Sequence, residues 1–528
     1  MNHRFVCRSN ISALALAVGM WGVDAVAATM PPPPLPPWSQ GANSGAALAS
    51  PAPLPETMPD ATATEALSQA IPTGQQWLNH VQDDLLPFWT LPTALGDPMG
   101  NFPSVRCDNG TLVNPENPCA EVQGFENDWL IKEEQYVVSL SRQIYTYGVA
   151  FHLTGERQYL DYAKAGVDYF RQHAFDREAG GAYGLWSAES NEWEPALEDR
   201  NPQGQAYALM GIGYYYYLTR DPEVLPDILA LKEFIFDTYY NAELGILQWQ
   251  LQDGEWGNAL DKMLVAQLDQ LNAYMMLLAP ILPEPERTEW TQDMVWLSEI
   301  MLDQFYLQEE NLFLLSALSP DTSSLLEETD FGHSIKTMWF MRMIGILSGN
   351  QTLVDFAVNN GPKILERAYL SAPETWASGV LPDGTINETR SWWVHAELDQ
   401  FTASLALSEP TVAKYLPGTY NYWFNYFVDP QFGEVWNNID ASTDEPMEDF
   451  PKQWPWKNGY HTFEHALVGY ITSSQLHQEA AVLYYAFEQP PELDTIHPYY
   501  YQGRVNEISI FPQPDSVPVY QVRFSDIR

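Results

Sequence analysis

The chain has 528 residues and a formal net charge of -44. A surface this acidic repels the phosphates of nucleic acids and the headgroups of anionic membranes, which excludes both as partners. Hydrophobic residues make up 45% of the sequence, enough for a substantial core, so the negative charge belongs to the surface of a folded protein.

The first 63 residues lack the pattern of a folded domain. Arg4 and Arg8 precede a short apolar stretch over residues 11–23, and Ala25-Val26-Ala27 has the small residues of a cleavage site. Residues 1–27 are therefore predicted to be a secretory signal peptide, and the mature protein to be periplasmic or secreted. Residues 28–63 are rich in proline and predict a disordered linker. No later segment is apolar enough to predict membrane insertion.

From residue 64 to residue 490 the sequence predicts an all-α domain. Apolar residues recur at three- and four-residue spacing over residues 131–154, 158–173, 203–218, 261–278, 332–347, 392–407 and 460–473. Between them a turn pattern recurs, in which Asp or Asn is followed four positions later by Gly, with an aromatic residue nearby. Gly suits a tight turn with positive φ, so short β-hairpins are expected to join helix pairs. Such repeats suggest a closed helical toroid, although unrelated loops with common turn residues would give the same pattern.

Cys107 and Cys119 lie close together in a stretch rich in Pro, Asn and Gly, whereas Cys7 lies inside the predicted signal. In an oxidising compartment the two are expected to form a disulfide that staples the loop; two free thiols are the alternative.

The last part of the chain, residues 491–528, changes in character. Segments 505–511 and 517–524 are rich in β-forming residues and flank Pro512-Gln513-Pro514-Asp515. This pattern predicts a small C-terminal β-hairpin packed on the helical body.

Three segments place titratable residues beside aromatic ones where predicted helices begin. They are Phe331-Gly332-His333-Ser334-Ile335-Lys336, Arg390-Ser391-Trp392-Trp393-Val394-His395-Ala396-Glu397 and Lys457-Asn458-Gly459-Tyr460-His461-Thr462. Together they resemble the signature of the N-acylglucosamine 2-epimerase family, and segments 86–89, 141–145 and 200–209 resemble further parts of it. The resemblance covers residues 77 to about 485. It implies a barrel of six helical hairpins, an (α/α)6 helical toroid, in agreement with the repeat pattern.

The resemblance also implies an activity, which is proton transfer at C2 of a sugar without a cofactor. His333 and His461 would be the catalytic residues. Two imidazoles on opposite faces of C2 would remove and return a proton through an enediolate and give a 2-epimerase, whereas one base that moves the proton between C2 and C1 would give an aldose–ketose isomerase. Structural histidines are the alternative.

Sugar contacts are implied for further side chains. They are Arg142, Arg200, Trp392, Trp393, Glu397, Lys336 and Glu464. Arg142 would neutralise the enediolate, Trp392 and Trp393 would stack on a pyranose, and Glu397 would accept hydroxyls or orient a histidine. A salt bridge of Arg142 inside the barrel and tryptophans that belong to the core are the alternatives.

Three positions depart from the family pattern and leave the sugar open. Lys336 stands three residues after the first histidine, where the family usually has Glu, and Glu464 stands three after the second, where it usually has Arg. A further family histidine is expected near residues 267–274, where Leu268-Asp269-Gln270-Leu271-Asn272 stands instead. Because residues three apart share a helix face, Lys336 and Glu464 are predicted to form an ion pair across the barrel.

Other functions fit parts of the pattern. Glycoside hydrolases and polysaccharide lyases also use helical toroids, and Asp199, Glu397 and Asp399 are candidate carboxylates for inverting hydrolysis. A silent carbohydrate-binding protein is the third hypothesis. His461 and His465 have a His-x-x-x-His spacing, but Glu does not follow the first and a third ligand is missing, so no metal is predicted. The expected partner is a carbohydrate substrate, no cofactor is expected, and the oligomeric state is open.

Overall fold

The computed structural model describes residues 67–123, 130–132, 134–196, 200–253, 258–317, 325–447, 450–513 and 516–528. The predicted signal peptide (1–27) and linker (28–63) lie outside these ranges and stay predictions. Asp199, a candidate carboxylate for hydrolysis, also lies outside them, and its role stays a prediction. Every helix in the described part of the chain is too short or too polar to cross a bilayer.

Six helices in the described residues form an inner ring. In chain order they are α1 Val137–Thr154, α2 Pro202–Thr219, α3 Leu264–Gln270, α4 Phe331–Ser348, α5 Trp392–Ala406 and α6 Gly459–Leu476. Helix α3 continues through a π-helical segment, Leu271–Met275, into Met276–Leu278. Successive helices pack against one another and α6 packs on α1, which closes the ring. These helices are buried on all sides; in α1, for example, every residue from 139 to 153 is buried, as expected for a helix inside a larger core.

A second set of helices packs outside the ring. It consists of a first helix built from Gly74–Asn79, His80–Leu85 and Leu86–Trp89, and of Arg157–Tyr169, Leu225–Tyr239, Glu286–Gln304, Gln351–Ala368 and Leu416–Tyr422. Their burial is one-sided: in Gln351–Ala368 the buried residues include Leu353, Ala357, Ile364 and Leu365, which lie on one helix face. Inner and outer helices alternate along the chain as helical hairpins, and the predicted (α/α)6 toroid is confirmed.

Short antiparallel ribbons connect outer helices to the inner helices that follow. Tyr240–Asn241 pairs with Ile246–Leu247, Tyr306–Leu307 with Leu312–Phe313, and Tyr369–Leu370 with Thr375–Trp376. Gly180, Gly245 and Gly433 have φ values of 85°, 66° and 76°, the left-handed conformation that the turn pattern predicted. Because each ribbon precedes an inner helix, the ribbons surround the N-terminal ends of the inner ring, where His333 and His461 lie.

The predicted C-terminal hairpin is present and belongs to a three-stranded antiparallel sheet. Its strands are β1 Ala481–Tyr485, β2 Arg504–Gln513 and β3 Ser516–Ser525, in the order β1-β3-β2. Since β1 follows the C-terminal end of α6, this sheet packs at the end of the barrel opposite the ribbons.

The loop near the start of the domain is tied to the segment that leads into α6. Cys107 and Cys119 form a disulfide, as predicted. Next to it the Arg106 N–H donates to the Gln453 carbonyl at 3.1 Å, and the Lys452 N–H donates to Asp108 Oδ1 at 2.8 Å. The disulfide-bonded loop therefore holds, through these hydrogen bonds, the segment that leads to His461.

Candidate functional site

The two histidines lie beside the same tryptophan at the N-terminal ends of the inner helices. His333 is the third residue of α4 and His461 is the third residue of α6. The ring of Trp393, from α5 between them, has its centroid 4.7 Å from that of His333 and 6.1 Å from that of His461. Trp393 packs directly on Gly332, where a Cβ would lie 2.4 Å from the indole, so the close approach requires glycine. The structure thus brings His333 and His461, which are 128 positions apart in the sequence, to one space.

The His333 ring is oriented by the residue that caps its helix. Asp330 Oδ1 accepts the His333 backbone N–H at 2.6 Å, and Asp330 Oδ2 lies 2.6 Å from His333 Nδ1. Because a carboxylate only accepts, Nδ1 carries a proton, and in the neutral form of the ring the lone pair lies on Nε2. The side chain is 21% exposed, so this lone pair is accessible. The sequence analysis missed Asp330, although its place three residues before His333 is the spacing of an N-cap.

His461 is held as a neutral imidazole. Burial lowers its pKa well below the usual range, and the positive charges of Lys336 and Arg142 lower it further. Its Nδ1 lies 3.3 Å from Glu397 Oε1. A neutral imidazole beside a carboxyl group is suited to accept a proton from a bound molecule.

A buried cluster of charges lies next to His461. Lys336 Nζ is 3.2 Å from Asp269 Oδ1 and 3.8 Å from Glu397 Oε1. The Asn272 amide, in the orientation that satisfies it, donates to Asp269 at 2.8 Å and accepts from Lys336 at 3.2 Å. Although burial opposes the ammonium charge, Tyr207, Asp269 and Glu397 raise the pKa of Lys336, which therefore stays protonated.

The predicted ion pair between Lys336 and Glu464 is wrong. Lys336 pairs with Asp269 on α3 and approaches Glu397 on α5, the two neighbours of its own helix. Glu464 instead accepts from Tyr499 Oη at 2.5 Å and from Gln400 Nε2 at 3.4 Å. The reason is the order of the helices in the ring. Helix α5 lies between α4 and α6, so Lys336 on α4 meets Glu397 on α5 before it can reach Glu464 on α6.

Glu397 and Glu464 share one environment. Gln400 Nε2 lies 3.3 Å from Glu397 Oε2 and 3.4 Å from Glu464 Oε2. Burial raises the pKa of Glu397, and the charges of Glu464 and Asp269 raise it further, while Lys336 opposes the shift. Burial also raises the pKa of Glu464. Two carboxyls placed in this way hold a proton between them near neutral pH.

Glu397, His461 and Glu464 each offer one atom that could bind a metal ion, and these three atoms lie within 4.8 Å of one another. The Lys336 ammonium is already 3.8 Å from Glu397 Oε1 and supplies the positive charge that a metal ion would bring. We therefore interpret the cluster as a protonation network. His465, the second residue of the His-x-x-x-His pair, binds Asp399 instead, with its Nε2 3.0 Å from Oδ2.

Arg142 lies at the same end of the barrel. Its Nη1 donates to the Trp456 carbonyl at 3.0 Å, and its guanidinium stacks 3.8 Å from the centroid of Tyr207. Its Nε is buried and has no partner within the described residues. Trp456, which stands five residues before His461, is 39% exposed and adds aromatic surface at this end of the barrel.

Trp392 and Arg200 make other contacts in the structure. Trp392 is only 6% exposed and packs near Lys457; adjacent residues of a helix point in different directions, so Trp393 has other neighbours. Arg200 pairs with Asp176 at 2.6 Å and donates to the Gly180 carbonyl at 2.8 Å. Its guanidinium therefore holds a connecting hairpin, and the sugar contacts of both residues stay predictions.

Asp399, a candidate for hydrolysis, is buried in a structural network. It accepts from Trp376 Nε1 at 2.8 Å and from Thr419 Oγ1 at 2.6 Å, and His465 Nε2 lies 3.0 Å away. His395 Nε2 is 3.3 Å from Asp399 Oδ2. With these partners filled and no exposed surface, Asp399 cannot reach a glycosidic bond, and Asp199 lies outside the described residues.

Comparisons with known proteins agree with this geometry. The family model "N-acylglucosamine 2-epimerase (GlcNAc 2-epimerase)" matches residues 125–465. A cellobiose 2-epimerase of Ruminococcus albus is 26% identical over 345 residues, covering 62% of this chain and 86% of that protein. A cellobiose 2-epimerase of Dictyoglomus turgidum is 22% identical over 413 residues, covering 72% and 94%.

Solved structures show the same fold at lower identity. The cellobiose 2-epimerase of Spirochaeta thermophila superposes with a TM-score of 0.64 at 18% identity, covering 79% of this chain and all of that one. A D-mannose isomerase superposes with a TM-score of 0.56 at 15% identity, covering 78% and 99%. With the family model matched over well over half of its length, the chain belongs to the N-acylglucosamine 2-epimerase family.

Proposed function

We propose that this protein is a cofactor-independent sugar 2-epimerase or aldose–ketose isomerase that transfers a proton at C2 through an enediolate. Membership of the family supports an epimerase or isomerase enzyme. The observation that carries the proposal is the placement of His333 and His461 beside the same side chain, Trp393, with His461 neutral.

The proposed reaction begins with an open-chain sugar whose C2 lies between the two imidazoles. One imidazole takes the C2 proton, and the electron pair of the C–H bond forms the C1–C2 double bond while the negative charge moves to O1. The Lys336 ammonium and the Arg142 guanidinium are the nearby positive charges that stabilise this enediolate. Return of a proton to C2 from the opposite imidazole, with the O1 charge re-forming the C1 carbonyl, inverts the centre. Return of the proton to C1, with transfer of the O2 proton to O1 and formation of the C2 carbonyl, gives the ketose.

The substrate class follows from the relatives. Those reported above are cellobiose 2-epimerases and a D-mannose isomerase, so the substrates to test first are cellobiose and mannose. Exposed Trp456 offers stacking surface at the mouth, which suits a second sugar ring beyond the reacting one. The predicted signal peptide supports the proposal that the reaction takes place in the periplasm or outside the cell.

The test is solvent exchange at C2. The purified protein is incubated with cellobiose, mannose and a panel of other reducing sugars in heavy water, and deuterium at C2 is read by NMR. Variants His333→Asn and His461→Asn are expected to lose exchange by about 100-fold or more, the usual contribution of a general base. His173→Asn, the same change at an exposed histidine, is the matched control. Undiminished exchange in either site variant, or none in the wild type with any sugar, contradicts the proposal.

A further inference from the structure

Residues 486–503, between β1 and β2, insert into the barrel from the end opposite the histidines. This tail carries Tyr499, Tyr500 and Tyr501, which are all buried. Each hydroxyl bonds to a different inner helix: Tyr499 to Glu464 on α6 at 2.5 Å and Tyr501 to Ser404 on α5 at 2.5 Å, while Tyr500 donates to the Asn272 carbonyl at 2.7 Å in the π-helical continuation of α3. The tail closes this end of the barrel and also reaches the charged cluster.

Tyr499 is held in an uncommon backbone conformation. Its φ is 61°, in the left-handed region, which is unfavourable for a bulky residue. Its N–H donates to Tyr217 Oη at 2.9 Å, and its ring stacks on Tyr500 with centroids 3.8 Å apart. Such a conformation persists only where the surroundings determine it, so the direction of the Tyr499 hydroxyl is fixed.

The direction of hydrogen bonding at Tyr499 follows from its neighbours. Tyr145 Oη lies 3.0 Å from Tyr499 Oη. Burial raises the pKa of both phenols well above the usual value, so both keep their protons. Glu464 Oε1 offers only lone pairs while Glu464 is ionised, so Tyr499 donates to Glu464 and can accept from Tyr145.

The titratable groups that surround the Glu464–Glu397 pair come from helices α1 to α4, from α6 and from the tail. They are Tyr145 on α1, Tyr214 on α2, Asp269 on α3, Lys336 on α4, Tyr460 and His461 on α6, and Tyr499, Tyr500 and Tyr501 on the tail. The charged or titratable groups that face His461, besides Glu397 and Glu464, are Lys336, Arg142, His333 and Lys457. Among these groups, the Tyr499 hydroxyl is the tail group that donates a hydrogen bond to Glu464.

We propose that Tyr499 is a positioning residue, which keeps Glu464 ionised by donating to it and thereby leaves the proton shared by the two carboxyls on Glu397, beside His461. The effect of this role of Tyr499 on catalysis rests on the function proposed above. Glu397 Oε1 lies 3.3 Å from His461 Nδ1, so an ionised Glu397 would stabilise the imidazolium, whereas a neutral Glu397 leaves His461 as a free base. The tail would thus set the protonation of the base from the far end of the barrel.

The first test measures protonation directly and needs no catalysis. The ten histidines are labelled with carbon-13 at Cε1, the His461 signal is assigned by its loss in His461→Asn, and its shift is followed against pH. In Tyr499→Phe the proton moves to Glu464 and Glu397 ionises, so the His461 midpoint should rise by roughly one pH unit. In Tyr501→Phe, the matched control whose hydroxyl bonds Ser404, the midpoint should stay at the wild-type value. Superimposable curves for Tyr499→Phe and wild type overturn the proposal.

A second variant keeps the test decisive if Tyr499→Phe does not fold. Glu464→Gln removes the charge that favours the proton on Glu397, so it should raise the His461 midpoint in the same direction, and Tyr499→Phe added to it should give no further rise. An unchanged midpoint in Glu464→Gln, or two shifts that simply add, overturns the proposal.

The catalytic readout separates this inference from the proposed function. The acid limb of kcat/KM against pH should move upward in Tyr499→Phe together with the His461 midpoint. If the wild type exchanges no C2 proton but the midpoint moves, the proposed function fails and the role of Tyr499 stands. If exchange is normal and the midpoint is unchanged, the role of Tyr499 fails and the proposed function stands.

Discussion

Replacing Lys336 with methionine should destabilise the fold in a way that depends on pH. Methionine keeps most of the length of the side chain and removes its charge. The Lys336 ammonium is buried, 3.2 Å from Asp269 Oδ1 and 3.8 Å from Glu397 Oε1, and Glu464 lies in the same cluster. The variant leaves these carboxylates in the barrel without their nearest positive charge.

The size of the effect follows from these distances. With an effective dielectric constant near 20, two unit charges attract by about 5 kcal/mol at the 3.2 Å separation and by about 4 kcal/mol at 3.8 Å. Removing the cost of burying the ammonium offsets part of this, and breaking a buried pair typically costs about 3–5 kcal/mol. We expect a loss in this range at pH 8.

The pH dependence has a definite sign. Without the ammonium, the pKa values of Glu397 and Glu464 in the folded state, already raised by burial, rise further above their unfolded values. A group of this kind contributes stability at low pH that is lost as pH rises through its folded pKa. The free energy of unfolding that Lys336→Met loses relative to wild type should therefore be smaller at pH 5 than at pH 8.

The assay is urea unfolding of Lys336→Met and wild type at several pH values. Lys363→Met, at an exposed lysine of the outer helix Gln351–Ala368, is the matched control and should unfold like the wild type. A loss below about 1 kcal/mol at pH 8, the level of an exposed pair, would refute the reasoning, and so would a deficit that grows as pH falls.

Three further predictions follow from single contacts. Arg200→Met should destabilise the fold by about 3–5 kcal/mol because buried Asp176 loses its partner, while KM for the sugar stays unchanged in initial-rate measurements. The double change of Cys107 and Cys119 to serine should lower the free energy of unfolding by roughly 3 kcal/mol, read by urea unfolding; equal midpoints with and without the bridge would contradict this. The acid limb of kcat/KM should lie below pH 6.5 because burial lowers the pKa of His461, and a pH–rate profile with its limb above that value would contradict this.

Much of the fold could be predicted because its signals are local. Helix periodicity located the inner helices, and the positive φ of Gly180, Gly245 and Gly433 matches the recurring turn pattern. Errors arose at boundaries: the helix expected from residue 131 begins at Val137, since Gln135–Tyr136 pairs with Leu185–Ser187 as a strand. Pairing with a distant strand overrides local propensity there.

The site was predictable in position but less so in its contacts. Motif spacing placed His333, His461 and Glu397 toward one end of the barrel, because the histidines are the third residues and Glu397 the sixth residue of inner helices. It could not show that Lys336 pairs with Asp269, because which helices are neighbours in the ring is not encoded in local spacing. The pairing of Arg200 with Asp176 was not predicted for a related reason: a motif gives the position of a residue and not the direction in which its side chain points.

The C-terminal tail supplies a partner for one of the two residues, Lys336 and Glu464, whose charges depart from the family pattern. The family model ends at residue 465, so Tyr499 lies beyond it. An arginine at position 464 would need acceptors, whereas the glutamate found there needs donors or a proton, and Tyr499 donates to it at 2.5 Å. In the same way the lysine at position 336 needs acceptors, which Asp269 and Glu397 provide. Each changed charge is therefore matched by a partner on another element, and the tail is one of those elements. Burial raises the pKa of both Glu397 and Glu464, and we attribute the position of the proton that they share, beside His461, to Tyr499.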